Sequence, residues 1–270
     1  MKILLATDFS DNARNAFHFA KELSKNHHGS ITLIFAYTPI YDFAAQVADY
    51  IVTIEKQAKK ELKAMEKLAN KEGIRTAHII KQETASSAIC AEAKNEDYDL
   101  VIVGSHGENK IMHAFLGSTT TEVIKHCKKP VLCIPFGASF QKVESISLAM
   151  ELNKEDIIFL GQLITLTREY QLPYKIIHIK KDESETHQLS FFQLSNYLKD
   201  RFPNLTINCE EISAERVNEG LLKYADNNPQ TMLSMFSRHR SFFDYLFNKS
   251  HCAEMALQTT VPLLILKSKN

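Results

Sequence analysis

The chain has 270 residues, enough for one large domain or two of ordinary size, and its 44% hydrophobic and 24% charged content is that of a soluble globular protein rather than a disordered one. Its 32 basic residues balance 32 acidic ones, so no global field favours nucleic acid or an anionic membrane. The five cysteines contain no CxxC pair, which argues against a zinc knuckle or a disulfide framework and predicts buried reduced thiols.

In chain order the pattern predicts strand 2–7, helix 13–26, strand 30–37 and a long helix from about residue 44 to 69. Val47, Ile51, Ile54, Ala58, Leu62, Met65 and Leu68 recur along that helix at three- and four-residue steps and predict one buried stripe. Strand 76–81, helix 85–94, strand 100–103, a glycine-bearing loop, helix 118–126 and strand 131–135 follow. Strands alternating with helices in this way imply a parallel sheet covered on both faces. The N-terminal apolar run is too short for a signal peptide and no run approaches membrane-spanning length, which predicts a cytoplasmic location and no membrane partner.

Gly137-Ala138-Ser139 breaks the pattern, and the same order of elements begins again. The second pass predicts strand 145–150, helix 154–170, strand 174–179, helix 189–202, strand 205–209, helix 217–225, strand 232–235, helix 250–257 and strand 261–266. Pro130-Val131-Leu132-Cys133-Ile134 is echoed by Pro262-Leu263-Leu264-Ile265-Leu266, and Glu122 and Glu254 each stand eight residues before the strand-opening proline. The economical reading is an internal duplication with domains at 1–138 and 139–270.

The chemistry concentrates where strand 100–103 runs into Gly104-Ser105-His106-Gly107, followed after nine residues by Gly117-Ser118. Three of only eight glycines lie in this one strand-to-helix connection, where free amides at a helix start attract anions. The first strand ends in Ala6-Thr7-Asp8-Phe9-Ser10, placing a carboxylate where it can accept hydrogen bonds from a ribose or a base. Histidines at 27, 28, 106, 113, 126, 239 and 251 show no metal-ligand spacing.

These residues resemble the nucleotide-binding branch of the universal stress protein family. The family's signature of glycine, two residues, glycine, nine residues, glycine and a hydroxyl residue is matched by Gly104, Gly107, Gly117 and Ser118, and Thr7-Asp8-Phe9-Ser10 is similar to its start. The resemblance implies two tandem Rossmann-like (flavodoxin-like) α/β domains, each a five-stranded, mainly parallel sheet covered by helices on both faces. It further implies ATP as ligand, with magnesium carried by the nucleotide. Ala6, Thr7 and Asp8 would lie near the adenosine, Ala36 beside the base, Val103 along the pocket wall, and Gly104, Gly107, Gly117, Ser118 and Thr119 around ribose and phosphates, with Thr120 a weaker candidate. A regulatory role in stress, exercised through a protein partner or a homodimer, comes with the family rather than from the residues.

The second half departs from that signature. Counting back from the strand-opening prolines sets Phe236, His239 and Lys249 against Gly104, Gly107 and Gly117, while Glu151 stands where Asp8 does. Phe236, Phe242, Phe243, Tyr245 and Phe247 crowd the same connection beside Arg238 and Arg240, which predicts a degenerate domain whose aromatic side chains fill the pocket or pack against the first half or a partner. The rival from another class is an ATPase or nucleotidyl transferase on the same sheet. Against it stand the lack of a GxxxxGK[ST] motif and of an evident catalytic base, His106 and Glu108 being the loop residues to nominate.

Overall fold

The computed structural model describes residues 1–25, 28–38, 44–95, 97–105, 118–153, 156–180, 190–237 and 251–268. The chain divides into two compact units, Met1–Phe140 and Gln141–Asn270. In the first, β1 (Lys2–Ala6), α1 (Asp11–Lys25), β2 (Ser30–Ala36), α2 (Ala44–Lys71), β3 (Arg75–Lys81), α3 (Ala85–Asn95), β4 (Leu100–Gly104), α4 (Ser118–His126) and β5 (Val131–Ile134) alternate strictly. The strands lie in the order β3-β2-β1-β4-β5, with every pairing parallel.

Parallel strands buried on both faces require near-continuous apolar runs, and Ile3–Leu5, Leu100–Val103 and Val131–Ile134 supply them, all buried. Right-handed crossovers put helices made while the chain moves in one direction along the sheet on one face, and those of the return on the other. Accordingly α1 and α2 are joined by Arg14–Glu61 at 3.2 Å and by Lys21–Glu72, whereas α3 packs against α4. Helix α1 buries Ala13, Ala16, Phe17, Ala20 and Leu23, the three- and four-residue spacing of one helical stripe.

The second unit repeats the scheme with β6 (Ser145–Ala149), α5 (Asp156–Thr167), β7 (Tyr174–Lys180), α6 (Phe191–Arg201), β8 (Ile207–Ser213), α7 (Val217–Asn227), β9 (Thr231–Ser237), α8 (His251–Gln258) and β10 (Leu263–Lys267). Its order is β8-β7-β6-β9-β10, again parallel throughout. The repetition extends to register: Ile3 pairs with Leu100 and Ile146 with Met232, while Gly104 pairs with Ile134 and Phe236 with Leu266. Even the proline carbonyls are reused, Val101 N–H donating to Pro130 and Leu233 N–H to Pro262, both at 2.9 Å.

Several expectations are corrected. The strand expected at 205–209 is β8, Ile207–Ser213: Leu205 N–H closes a turn on Phe202, and the strand continues through Glu210 and Glu211 because an edge strand tolerates exposed charge. The buried stripe of α2 runs through Ala58, Leu62, Met65 and Ala69, leaving Leu68 49% exposed, one residue and thus about 100° off the seam. Val47 lies outside the residues whose side chains are described. Helix α5 passes into a 3-10 turn over Arg168–Tyr170 and stops at Gln171, which adopts φ 54°. Helix α6 opens later than residue 189 because Ser190 and Gln193 form a capping box, Ser190 Oγ accepting from Gln193 N–H at 3.2 Å and Gln193 Oε1 from Ser190 N–H at 3.0 Å. Of the cysteines, 127, 133 and 252 are buried, but Cys209 is exposed on β8. Burial beside the Phe236 carbonyl pushes the Cys252 thiol up to about 11, so it is inert at neutral pH.

Candidate functional site

The order β2-β1-β4 reverses direction between β1 and β4, and a doubly wound sheet leaves a cleft at the carboxyl ends of its strands there. Because Leu5 pairs with Ile102, the chain leaving β1 at Ala6, Thr7 and Asp8 runs beside the chain leaving β4 at Val103, Gly104 and Ser105. The fold therefore brings together two of the segments predicted from sequence. Gly107 and Gly117 lie outside the described residues, as do His106, Glu108 and the aromatic and basic residues of 238–250. Ser118 and Thr119 open α4, the side chain of Ser118 being outside the described set.

The β1–α1 loop is held by its own side chains. Thr7 N–H donates to Ile34 O at 3.0 Å, extending the sheet, and Thr7 Oγ1 accepts from Phe9 N–H at 3.1 Å. Asp8 is exposed, and one of its oxygens, Oδ1, accepts from Ser10 N–H at 3.0 Å in an Asx turn. Ser10 then caps α1, its Oγ accepting from Ala13 N–H at 3.2 Å. Phe9 is driven to φ 65°, a conformation that costs a non-glycine residue energy, and its ring stacks on Phe35 at 4.9 Å. Phe35 stacks in turn on Tyr37, whose hydroxyl donates to Glu55 at 2.8 Å. Ala36, between Phe35 and Tyr37 in sequence at the end of β2, is half-buried and paired in register with Lys81.

Gly104 has a structural requirement of its own. A Cβ there would stand 2.7 Å from Asn12 Nδ2 and 3.3 Å from the Asn12 carbonyl carbon, so any larger residue requires the Asn12 side chain to move and α1 to give by a few tenths of an ångström. Thr120 is buried and donates its hydroxyl to the Gly104 carbonyl at 3.2 Å, tying α4 to the strand end. Val103 is buried within the sheet opposite Cys133. Sequence reasoning missed Asn12, buried against Gly104, and Ser105, buried next to it in the chain; Asn12 Oδ1 and Ser105 Oγ have no hydrogen-bond partner among the described residues. Their letters alone look like an ordinary helix start and a loop serine; burial is a tertiary property that one sequence does not display.

The second unit shows the same loop with different chemistry. Leu152, at φ 59°, repeats the backbone of Phe9, and Met150 N–H donates to Ile177 O at 2.8 Å as Thr7 does to Ile34. Here Asp156, 0% exposed, takes the loop amides instead: its Oδ2 accepts from Glu151 N–H at 3.0 Å and Asn153 N–H at 3.1 Å. Phe236, in the place of Gly104, lies flat on Phe159 with centroids 4.5 Å apart and planes 5° from parallel. The strand end that approaches α1 by backbone in the first unit is covered by stacked rings in the second.

Among the described residues, no group of three or more His, Cys, Asp or Glu side chains is placed to hold a metal ion, and no helix is long and apolar enough to cross a membrane. Fold and cleft together define a tandem pair of doubly wound α/β units with a strand-end cleft in the first. The chain belongs to the universal stress protein family, which it matches over residues 1–135. It is 37% identical over 141 residues to universal stress protein A homolog 2 of Coxiella burnetii, an alignment spanning 49% of this chain and 93% of that protein. It is 22% identical to universal stress protein Slr1230 of Synechocystis over 97% of this chain and 98% of the relative. A universal stress protein structure from Archaeoglobus fulgidus shares the fold, with TM-score 0.80, 17% identity and 98% of each chain covered.

Proposed function

We propose that the first unit binds one adenine nucleotide, ATP, at the strand-end cleft and acts as a nucleotide-responsive stress or regulatory module, while the second, residues 139–270 in the reading from sequence, is a degenerate copy that binds none. The observation that carries this reading is the placement of Gly104 at the carboxyl end of β4, beside the Thr7–Ser10 loop and tied to the start of α4 by Thr120. Glycine backbone and the first turn of a helix supply amide donors for phosphates. Asp8 retains one carboxylate oxygen, Oδ2, beyond its Asx turn for an adenosine donor. Ala6, Thr7, Ala36, Val103, Gly107, Gly117, Ser118 and Thr119 complete the set of proposed contacts, and Thr120 acts by holding Gly104. Magnesium would arrive with the triphosphate and take its ligands from phosphate oxygens.

These groups hold a ground state; none of the described ones is placed to activate water, so hydrolysis well below ~1 per second is expected. Regulation through a protein partner or a second copy follows if nucleotide binding shifts the population of one conformer. The test is the identity of any ligand released on denaturing the purified chain, read by mass spectrometry, together with ATP titration. Adenine nucleotide at up to one equivalent per chain supports the reading; a purified chain that carries none and binds none opposes it.

A further inference from the structure

Unpaired buried polar groups are rare in folded proteins because each forfeits its hydrogen bond to water. Asn12 is 9% exposed and Ser105 5%, and among the described residues neither Asn12 Oδ1 nor Ser105 Oγ has a partner. Both lie at the first unit's cleft: the Asn12 carboxamide rests against Gly104, and Ser105 is the next residue, fixed by donation of its N–H to Ile134 O at 2.9 Å. The contrast within α1 is instructive, because Asn15, also at the strand ends, satisfies its amide by donating to Pro135 O at 3.2 Å. Ser24, in the last turn of α1, and Ser234, within β9, also carry hydroxyls unpaired among the described residues, but they lie away from the carboxyl ends of β1 and β4.

A carboxamide oxygen accepts hydrogen bonds and cannot donate. Its natural partner is an N–H or O–H group, never a deprotonated phosphate oxygen. We infer that Asn12 and Ser105 are ligand-binding residues, and that Asn12 Oδ1 receives a donor from the nucleoside part of the ligand, a ribose hydroxyl or the exocyclic amine of the base. This rests on the nucleotide reading above and adds to it a nucleoside-selecting acceptor, Asn12, that lies outside the glycine signature. The free chain then keeps two unpaired groups at a cost in stability, and the ligand relieves it.

The experiment is titration calorimetry of the full chain and of Asn12→Leu and Ser105→Ala with ATP, 2′-deoxy-ATP, 3′-deoxy-ATP and inosine triphosphate, alongside melting curves without nucleotide. Each substitution is expected to weaken ATP binding about five- to tenfold, the worth of one hydrogen bond. For Asn12→Leu the loss disappears with the one analogue that lacks the donor Asn12 receives, which separates ribose from base. Ser105→Ala, which removes a hydroxyl without changing the side chain's shape, melts no lower than the parent. Unchanged ATP affinity in both variants, an equal loss for every analogue in Asn12→Leu, or a lower melting temperature for both overturns the inference. A parent chain that binds none of the four nucleotides overturns the nucleotide reading as well, so the two failures are told apart.

Discussion

The carboxyl ends of β4 and β9 occupy the same position in two copies of one topology, pairing in the same register with Ile134 and Leu266, yet one carries Gly104 and the other Phe236. In the first copy the strand end closes on α1 through backbone and the Asn12 amide; in the second it is covered by the Phe236–Phe159 stack. The loops diverge in the same sense. Asp8 is exposed and shares one oxygen with Ser10, whereas the buried Asp156 gives its carboxylate to the amides of Glu151 and Asn153. A duplicated fold can thus keep its backbone, down to the left-handed residues Phe9 and Leu152, while one copy spends its strand-end polarity on itself.

The comparison can be broken from either side. Phe236→Gly removes one ring of the stack, and because that ring is only partly covered the loss of stability should be about 3 kcal/mol, the low end for truncating a core phenylalanine, measured by urea unfolding. The same variant should gain no second ATP site, since Asp156 still occupies the loop; a second equivalent of ATP would show that the stack alone blocks the second copy. Gly104→Val imports the second unit's bulk into the first. The Cβ collides with Asn12, so an overpacking cost of about 1–3 kcal/mol is expected, with ATP binding abolished in a chain that remains folded by circular dichroism.

Asp156→Ala strips the second loop of the buried acceptor that the part-buried Glu151 and Asn153 amides share, for an expected loss of about 1–3 kcal/mol. ATP affinity should not change, and a change would show that the second loop contributes to the site. The smallest effect concerns pH. Hydrogen bonds from Lys21, then Lys25, hold the Glu72 carboxyl below its ordinary value of 4.5. A depressed carboxyl contributes stability that is present above the unfolded value and is lost as pH falls through the folded one. Glu72→Gln should therefore cost under about 1 kcal/mol at pH 7, with the difference from the parent vanishing in unfolding curves taken well below pH 4.5.

Much of this was legible in the letters. Apolar runs such as Leu100–Val103 announce strands buried on both faces, and the proline-opened repeats announce two copies, because both signals are local and periodic. The far end of edge strand β8 is not legible, because the Glu210-Glu211 pair fits a strand only where a sheet edge exposes it. Position Leu68 failed for a different reason: a stripe of three- and four-residue steps can be drawn through either of two adjacent residues, and only packing chooses Ala69. Of the candidate site, the glycine spacing and Asp8 were visible as motif. The opposition of Asn12 to Gly104 and of Phe159 to Phe236 was not, because each joins a helix to a strand far along the chain.

The central claim is that one copy binds ATP and the other does not. Titration calorimetry of the full chain with ATP tests it most directly: a single class of site at one equivalent per chain, abolished by Gly104→Val and retained in Asp156→Ala, is the expected result. Two equivalent sites per chain, or one site that survives Gly104→Val, would contradict it.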